Sequence, residues 1–136
     1  MEIRIAHPPL ALYLEVFETD DQVPSMHAKV QIVVSQFQHT CRYEGTFWIE
    51  CVSWDSFTDA LRAASRQEAV LRDISGYFLL ALRKINESML LVWEFTKTDV
   101  SGERRMRIEF SSEIDDDALG KIKKEFLDFP VWWQQP

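Results

Sequence analysis

Glycine is scarce in this chain, with four residues in 136, and the four never cluster. That excludes the glycine-rich loops of Walker and dinucleotide-binding folds, whose closely spaced glycines let backbone N–H groups approach phosphate. Cysteine is scarcer still: Cys41 and Cys51 are the two, and they do not form a Cys-x-x-Cys pair. The three histidines, His7, His27 and His39, stand far apart, so a metal site would require unrelated loops to converge. No metal and no cofactor is expected. Long hydrophobic runs are also missing. The opening "MEIRIAHPPLALYLEVF" is interrupted by Pro8, Pro9 and Glu15, and it lacks the basic start and small-residue cleavage site of a secretory signal. The expectation is a mature cytoplasmic chain with no membrane partner and with reduced thiols. Basic side chains are outnumbered, 15 against 22 acidic ones, for a net charge of -7. Such a chain repels phosphate backbones, which argues against nucleic acid, and its acidity suits either a basic protein partner or solubility with no partner at all.

What is present is a globular composition. Hydrophobic residues make up 46% and charged residues 27%, and five Trp with nine Phe imply a ring-rich core. A chain of this length can bury roughly two thirds of its unfolded surface, so one domain without staples is expected over residues 1–136, with 130–136 a Trp-rich tail.

Alternation dominates the pattern. Leu10, Leu12, Leu14 and Val16 share one side of an extended segment; Ala28, Val30, Ile32 and Val34 share one side of the next. After Phe37, "QHT" is a candidate turn into a third run, where Tyr43, Phe47, Ile49 and Cys51 have common parity. In that hairpin Cys41 and Cys51 stand about 30 Å apart, too far for a disulfide. Three further alternating segments follow: Phe78, Leu80 and Leu82; Met89, Leu91, Trp93 and Phe95; Met106, Ile108 and Phe110. Turn-forming pairs between them, Asn86 with Glu87 and Ser101 with Gly102, predict an antiparallel meander.

Two segments have helical period. Phe57, Leu61 and Ala64 recur at four and three, with Ser53 as the expected N-cap, Asp55 near the positive dipole end and Val52 stapling onto Phe57. The closing segment carries Leu119, Ile122, Phe126 and Phe129 as its stripe, with Asp115 to Asp117 at its start and Pro130 as its stop. The fold expected is α+β: a twisted, mostly antiparallel sheet of six to seven strands with two amphipathic helices packed against it. One sheet face, carrying Arg83, Glu94, Arg107 and Glu109, is expected to be open.

Chemistry-bearing candidates are few. Cys51 precedes a helix start, where the dipole stabilises a thiolate, and a histidine folding back would complete a thiol-dependent enzyme. The same residue also continues the Phe47 and Ile49 parity, which makes it a small core side chain. Asp115 to Asp117 sit where helix starts favour acids, with no basic partner to suggest acid–base catalysis. Trp132 and Trp133 diverge on an extended backbone, so one ring is expected to seal the core and the other to lie half exposed or to anchor a partner.

The ordered runs "VQIVVSQF", "YEGTFWIECVSWDSFTDAL", "AVLRDISGYFLLALRKI" and "IEFSSEIDDDALGKIKKEF" resemble the small α+β immunity proteins of the WapI type, found beside polymorphic bacterial toxins. The resemblance spans about residues 26 to 129. The match at Asp115 to Asp117 is partial, and the tryptophan tail has no counterpart. The resemblance implies a non-enzymatic protein that binds a cognate, basic toxin domain and blocks it. Since such families vary their binding surfaces with the toxin, no contact residue carries over by position. The contacts expected from charge and aromaticity are Glu113, Asp115, Asp116, Asp117, Trp132 and Trp133. Two other readings stand beside this one: a thiol enzyme centred on Cys51, and an assembly or ligand-binding module using the open sheet face.

Overall fold

Apolar alternation gives eight strands in the computed structural model, which describes residues 1–63 and 68–134. The α+β class is present, with two α-helices, but the strands form two four-stranded antiparallel sheets instead of one sheet of six or seven. The chain divides into two compact units, Met1–Cys51 with Asp116–Pro136, and Val52–Asp115.

In the first unit, β1 (Glu2–His7), β2 (Leu10–Asp20), β3 (Ser25–Gln36) and β4 (His39–Glu50) pair in sequence order. β1 is an addition to the expected strands. Its Ile3 and Ile5 alternate with polar residues, and Pro8 and Pro9, which have no N–H to offer a ladder, turn the chain directly into β2. One face is core. Ile5, Leu12, Ile32 and Tyr43 form one cross-strand row, and Ile3, Leu14, Val30 and Gly45 form the next. Burying each of the large aliphatic side chains contributes roughly 1.5–3 kcal/mol before entropy is charged against it.

Gly45 has a steric reason on that face. The Tyr43 and Phe47 rings, centroids 6.4 Å apart and nearly parallel, lean over it. A Cβ at Gly45 would meet Tyr43 Oη at 2.5 Å and Phe47 Cζ at 3.3 Å. Gly45→Val is therefore expected to lower stability by about 1–3 kcal/mol through overpacking, read as a reduced urea midpoint.

β3 and β4 are joined by Phe37 and Gln38, both at positive φ (54° and 63°), as a two-residue primed turn requires. The turn thus begins one residue before the expected "QHT" and shares Gln38 with it, while His39 and Thr40 already belong to β4. The usual Asn-Gly cue is absent from the sequence.

The helix α2 (Asp116–Leu127) packs along β1. Its buried stripe is Ala118, Ile122 and Phe126, spaced by four, with Phe129 buried just beyond. Leu119, expected in that stripe, lies about 100° round the helix from Ala118 and is half-buried. The helix stops before Pro130, with Asp128 N donating to the Lys124 carbonyl at 2.9 Å.

The helix α1 (Cys51–Arg62) starts where β4 ends, three residues before the Trp54 start that a Ser53 cap implies. Ser53 is therefore inside the first turn rather than its cap, and Val52 is 69% exposed instead of stapled onto Phe57. Trp54, Phe57 and Leu61 make the buried stripe; the expected Ala64 lies outside the described residues. Buried Thr58 satisfies its hydroxyl by donating to the Trp54 and Asp55 carbonyls, each at 3.1 Å.

In the second unit the meander is β5 (Glu68–Arg72), β6 (Phe78–Ile85), β7 (Ser88–Thr98) and β8 (Arg105–Ile114). β5, five residues long, is the other unexpected strand. Leu71, Leu80, Trp93 and Phe110 form one cross-strand row. Asn86 supplies the positive φ of the β6–β7 turn, as expected, and Gly102 does so between β7 and β8. Asp73, buried between β5 and β6, accepts from Phe78 N at 2.9 Å and so holds that loop. Arg83, Glu94, Arg107 and Glu109 do share a face, but its centre is closed: Ala81 and Val92 there are 0% and 4% exposed. Among the described residues, no helix is long and apolar enough to cross a membrane.

Candidate protein-binding face

The opposite face of the first sheet is polar and cross-linked. Parity places Glu2, Arg4, Tyr13, Glu15, Lys29, Gln31 and Glu44 there in adjacent rows. Arg4 Nε pairs with Glu2 at 3.1 Å, and its guanidinium lies 4.6 Å above the Tyr13 ring. Tyr13 Oη stands 3.0 Å from both Glu2 and Glu15 and donates its single proton between them. Glu44 accepts from Lys29 at 3.1 Å and Gln31 at 3.0 Å. Hydrogen bonds from Lys29 and then Gln31 hold the Glu44 carboxyl below its ordinary range, and those from Arg4 and Tyr13 do the same for Glu2.

Desolvation, followed by the hydrogen bonds to Glu15 and Glu2, pushes the Tyr13 phenol up to about 12. The folded state therefore holds this proton more tightly than the unfolded chain, whose phenols titrate near 10. The associated stabilisation is complete below about pH 10 and is lost as pH rises towards 12. An ultraviolet phenolate titration of the native protein should show one late step that disappears in Tyr13→Phe.

Beyond this grid lies an aromatic trio. The register passes from Val16 opposite Ala28 to Glu18 opposite His27, leaving Phe17 as an extra residue in a β-bulge. The Phe17 ring stands 4.4 Å from His27, and His27 stacks on Trp48 at 4.6 Å and 12°. Glu18 Oε2 lies 3.2 Å from His27 Nδ1 and fixes the imidazole between the rings. Phe17 is 53% exposed, while His27 and Trp48 are half-buried. Acidic Asp20 and Glu50 flank the trio on the next row. The unit that carries it has eleven acidic against six basic side chains. Rigid rings ringed by carboxylates can bury apolar area at little entropic cost and attract a basic partner.

The contacts expected from sequence are distributed differently. Glu113 is exposed near the end of β8, and exposed Asp115 follows it. Asp116 and Asp117 are exposed in the first turn of α2, where Asp117 pairs with Lys121 at 3.5 Å. Trp132 and Trp133 form a short 3-10 turn after the helix and pack edge to face, centroids 5.5 Å apart. Both are half-buried, so neither alone seals the core as expected; the tight turn brings together rings that an extended backbone would have separated. The Asp116–Asp117 pair opens α2, a helix about 18 Å long, and the tryptophans follow its far end in sequence.

Cys51 is 1% exposed. His39 is at the other end of β4 from it, about 40 Å away, and His7 shares a cross-strand row with Cys41, also near that far end. His27 is at the near end but on the opposite sheet face. Neither cysteine is in a disulfide; Cys41 is exposed and Cys51 buried.

No family model, curated protein or solved structure matches this chain. Phe17, His27 and Trp48 were missed by the sequence reading. A signal was available for one of them: Trp48 has the wet parity of Thr46 and Glu50, where a large indole is out of place.

Proposed function

We propose that this is a non-enzymatic binding protein of the immunity type, which captures a basic toxin domain in the cytoplasm and blocks it by occlusion. The observation carrying this reading is the Phe17–His27–Trp48 stack, displayed among carboxylates on one face of the first sheet. Steering comes from the net charge of -7, and most of the affinity from the rings. Glu113, Asp115, Asp116, Asp117, Trp132 and Trp133 are proposed as additional contacts. Burial of Cys51 supports the non-enzymatic reading, because a shielded thiol offers a substrate no surface.

The test is co-expression with the basic proteins encoded beside this gene, followed by native co-purification and rescue of cells from the toxin. Rescue should fail when Glu18 and Glu50 are both changed to Lys. If no neighbour-encoded protein binds, or if Cys51 alkylates rapidly in the native fold, the reading is wrong.

A further inference from the structure

The β7–β8 hairpin in the second unit has the opposite electrostatic character. A shallow cavity of about 280 Å³ is lined by Phe95, Lys97, Asp99, Arg104, Arg105 and Met106. Its floor is apolar: Phe95 is half-buried and Met106 is 57% exposed. Its one acid, Asp99, is ionised and tied to the loop. Asp99 accepts from Arg104 N at 3.1 Å and Ser101 Oγ at 3.0 Å, and the backbone bond from Arg104 is the first cause of its lowered pKa. Those bonds, with Asp99 N to the Arg104 carbonyl at 2.9 Å and Gly102 N to the Asp99 carbonyl at 3.0 Å, fix the loop. Arg104 and Arg105 both line the cavity, and among the described residues neither makes an ion pair. Lys97 lies 5.3 Å over the Tyr77 ring and lines the same cavity.

We infer that this hairpin is a docking site for an acidic peptide segment that inserts one bulky apolar side chain between Phe95 and Met106 while its carboxylates meet Lys97, Arg104 and Arg105. Charge complementarity selects the occupant. The lining carries three cations, Lys97, Arg104 and Arg105, against one ionised acid, Asp99, and this positive excess calls for carboxylates or phosphates, while the apolar floor calls for a hydrophobic side chain beside them. The cavity holds about one side chain and is too shallow to enclose a small molecule, which pockets normally bury by 70–90%. A nucleic acid offers the Phe95–Met106 floor no flexible apolar side chain, whereas a peptide does. This site is distinct from the Phe17–His27–Trp48 stack, which belongs to the first unit and is flanked by carboxylates instead of cations.

The test uses the full chain at low salt and a fluorescein-labelled glutamate-rich peptide with one central phenylalanine, with binding followed by anisotropy. Saturable binding is expected that weakens about tenfold or more in Arg104→Glu with Arg105→Glu, and likewise when the peptide's phenylalanine is replaced by alanine. Met106→Asp should weaken it too, and circular dichroism melts should show each variant folded. The inference is overturned by no saturable binding, by equal affinity for the alanine peptide, by equal affinity in the double charge reversal, or by tighter binding of a single-stranded DNA of matched charge.

Discussion

Trp48→Ala should weaken binding of the proposed partner by about thirtyfold or more, the loss of roughly 2 kcal/mol typical of a central aromatic anchor. Its effect on folding should be small. Trp48 is half-buried on the wet face of β4 and stacks on the His27 ring, a cross-strand contact worth roughly 0.2–1 kcal/mol. Isothermal titration against the partner and a urea melt of the same sample separate the two quantities. Unchanged affinity with a normal melt would remove the trio from the interface. Phe17→Ala should follow in the same direction, because Phe17 is the most exposed of the three rings and touches only the edge of the stack through His27.

Trp93→Ala should do the reverse, costing about 3–5 kcal/mol of folding stability. Trp93 is 1% exposed, lies in the central row with Leu71, Leu80 and Phe110, and stacks on Phe110 with centroids 6.4 Å apart. Its removal leaves a void at the middle of a four-stranded sheet, where neighbours on both flanking strands are fixed by the ladder and collapse poorly. Against a total stability of roughly 5–15 kcal/mol, that is a large share. A urea titration should show a much lower midpoint at a similar slope, the mark of lost stability without lost compactness. A loss below about 1 kcal/mol would mean that the row is not packed as described.

The contrast between these two indoles measures how much of the molecule was legible in the chain. Strand parity correctly sorted Leu12, Ile32, Tyr43 and Leu80 to core faces, because a period of two depends on local backbone geometry alone. The number of sheets was not legible, since parity assigns a face within a strand and says nothing about which strands are neighbours. β1 and β5 escaped because six and five residues give too few alternations to stand out. The turn after β3 was placed one residue late because neither Phe37 nor Gln38 is a usual bearer of positive φ. The Trp48 anomaly was visible in the alternation of β4, whereas the Phe17 bulge was not, being defined only by the partner strand. The acids around α2 were conspicuous in sequence for a reason that the helix dipole already supplies.

The ladder on either side of Phe17 is continuous: Val16 keeps Ala28, Glu18 keeps His27, and the ring between them has no opposite number. Loss of that single codon would leave every other cross-strand partnership in place while erasing the most outward of the three rings. A lineage could therefore gain or shed this contact in one step, changing whom the protein recognises without renegotiating how it folds.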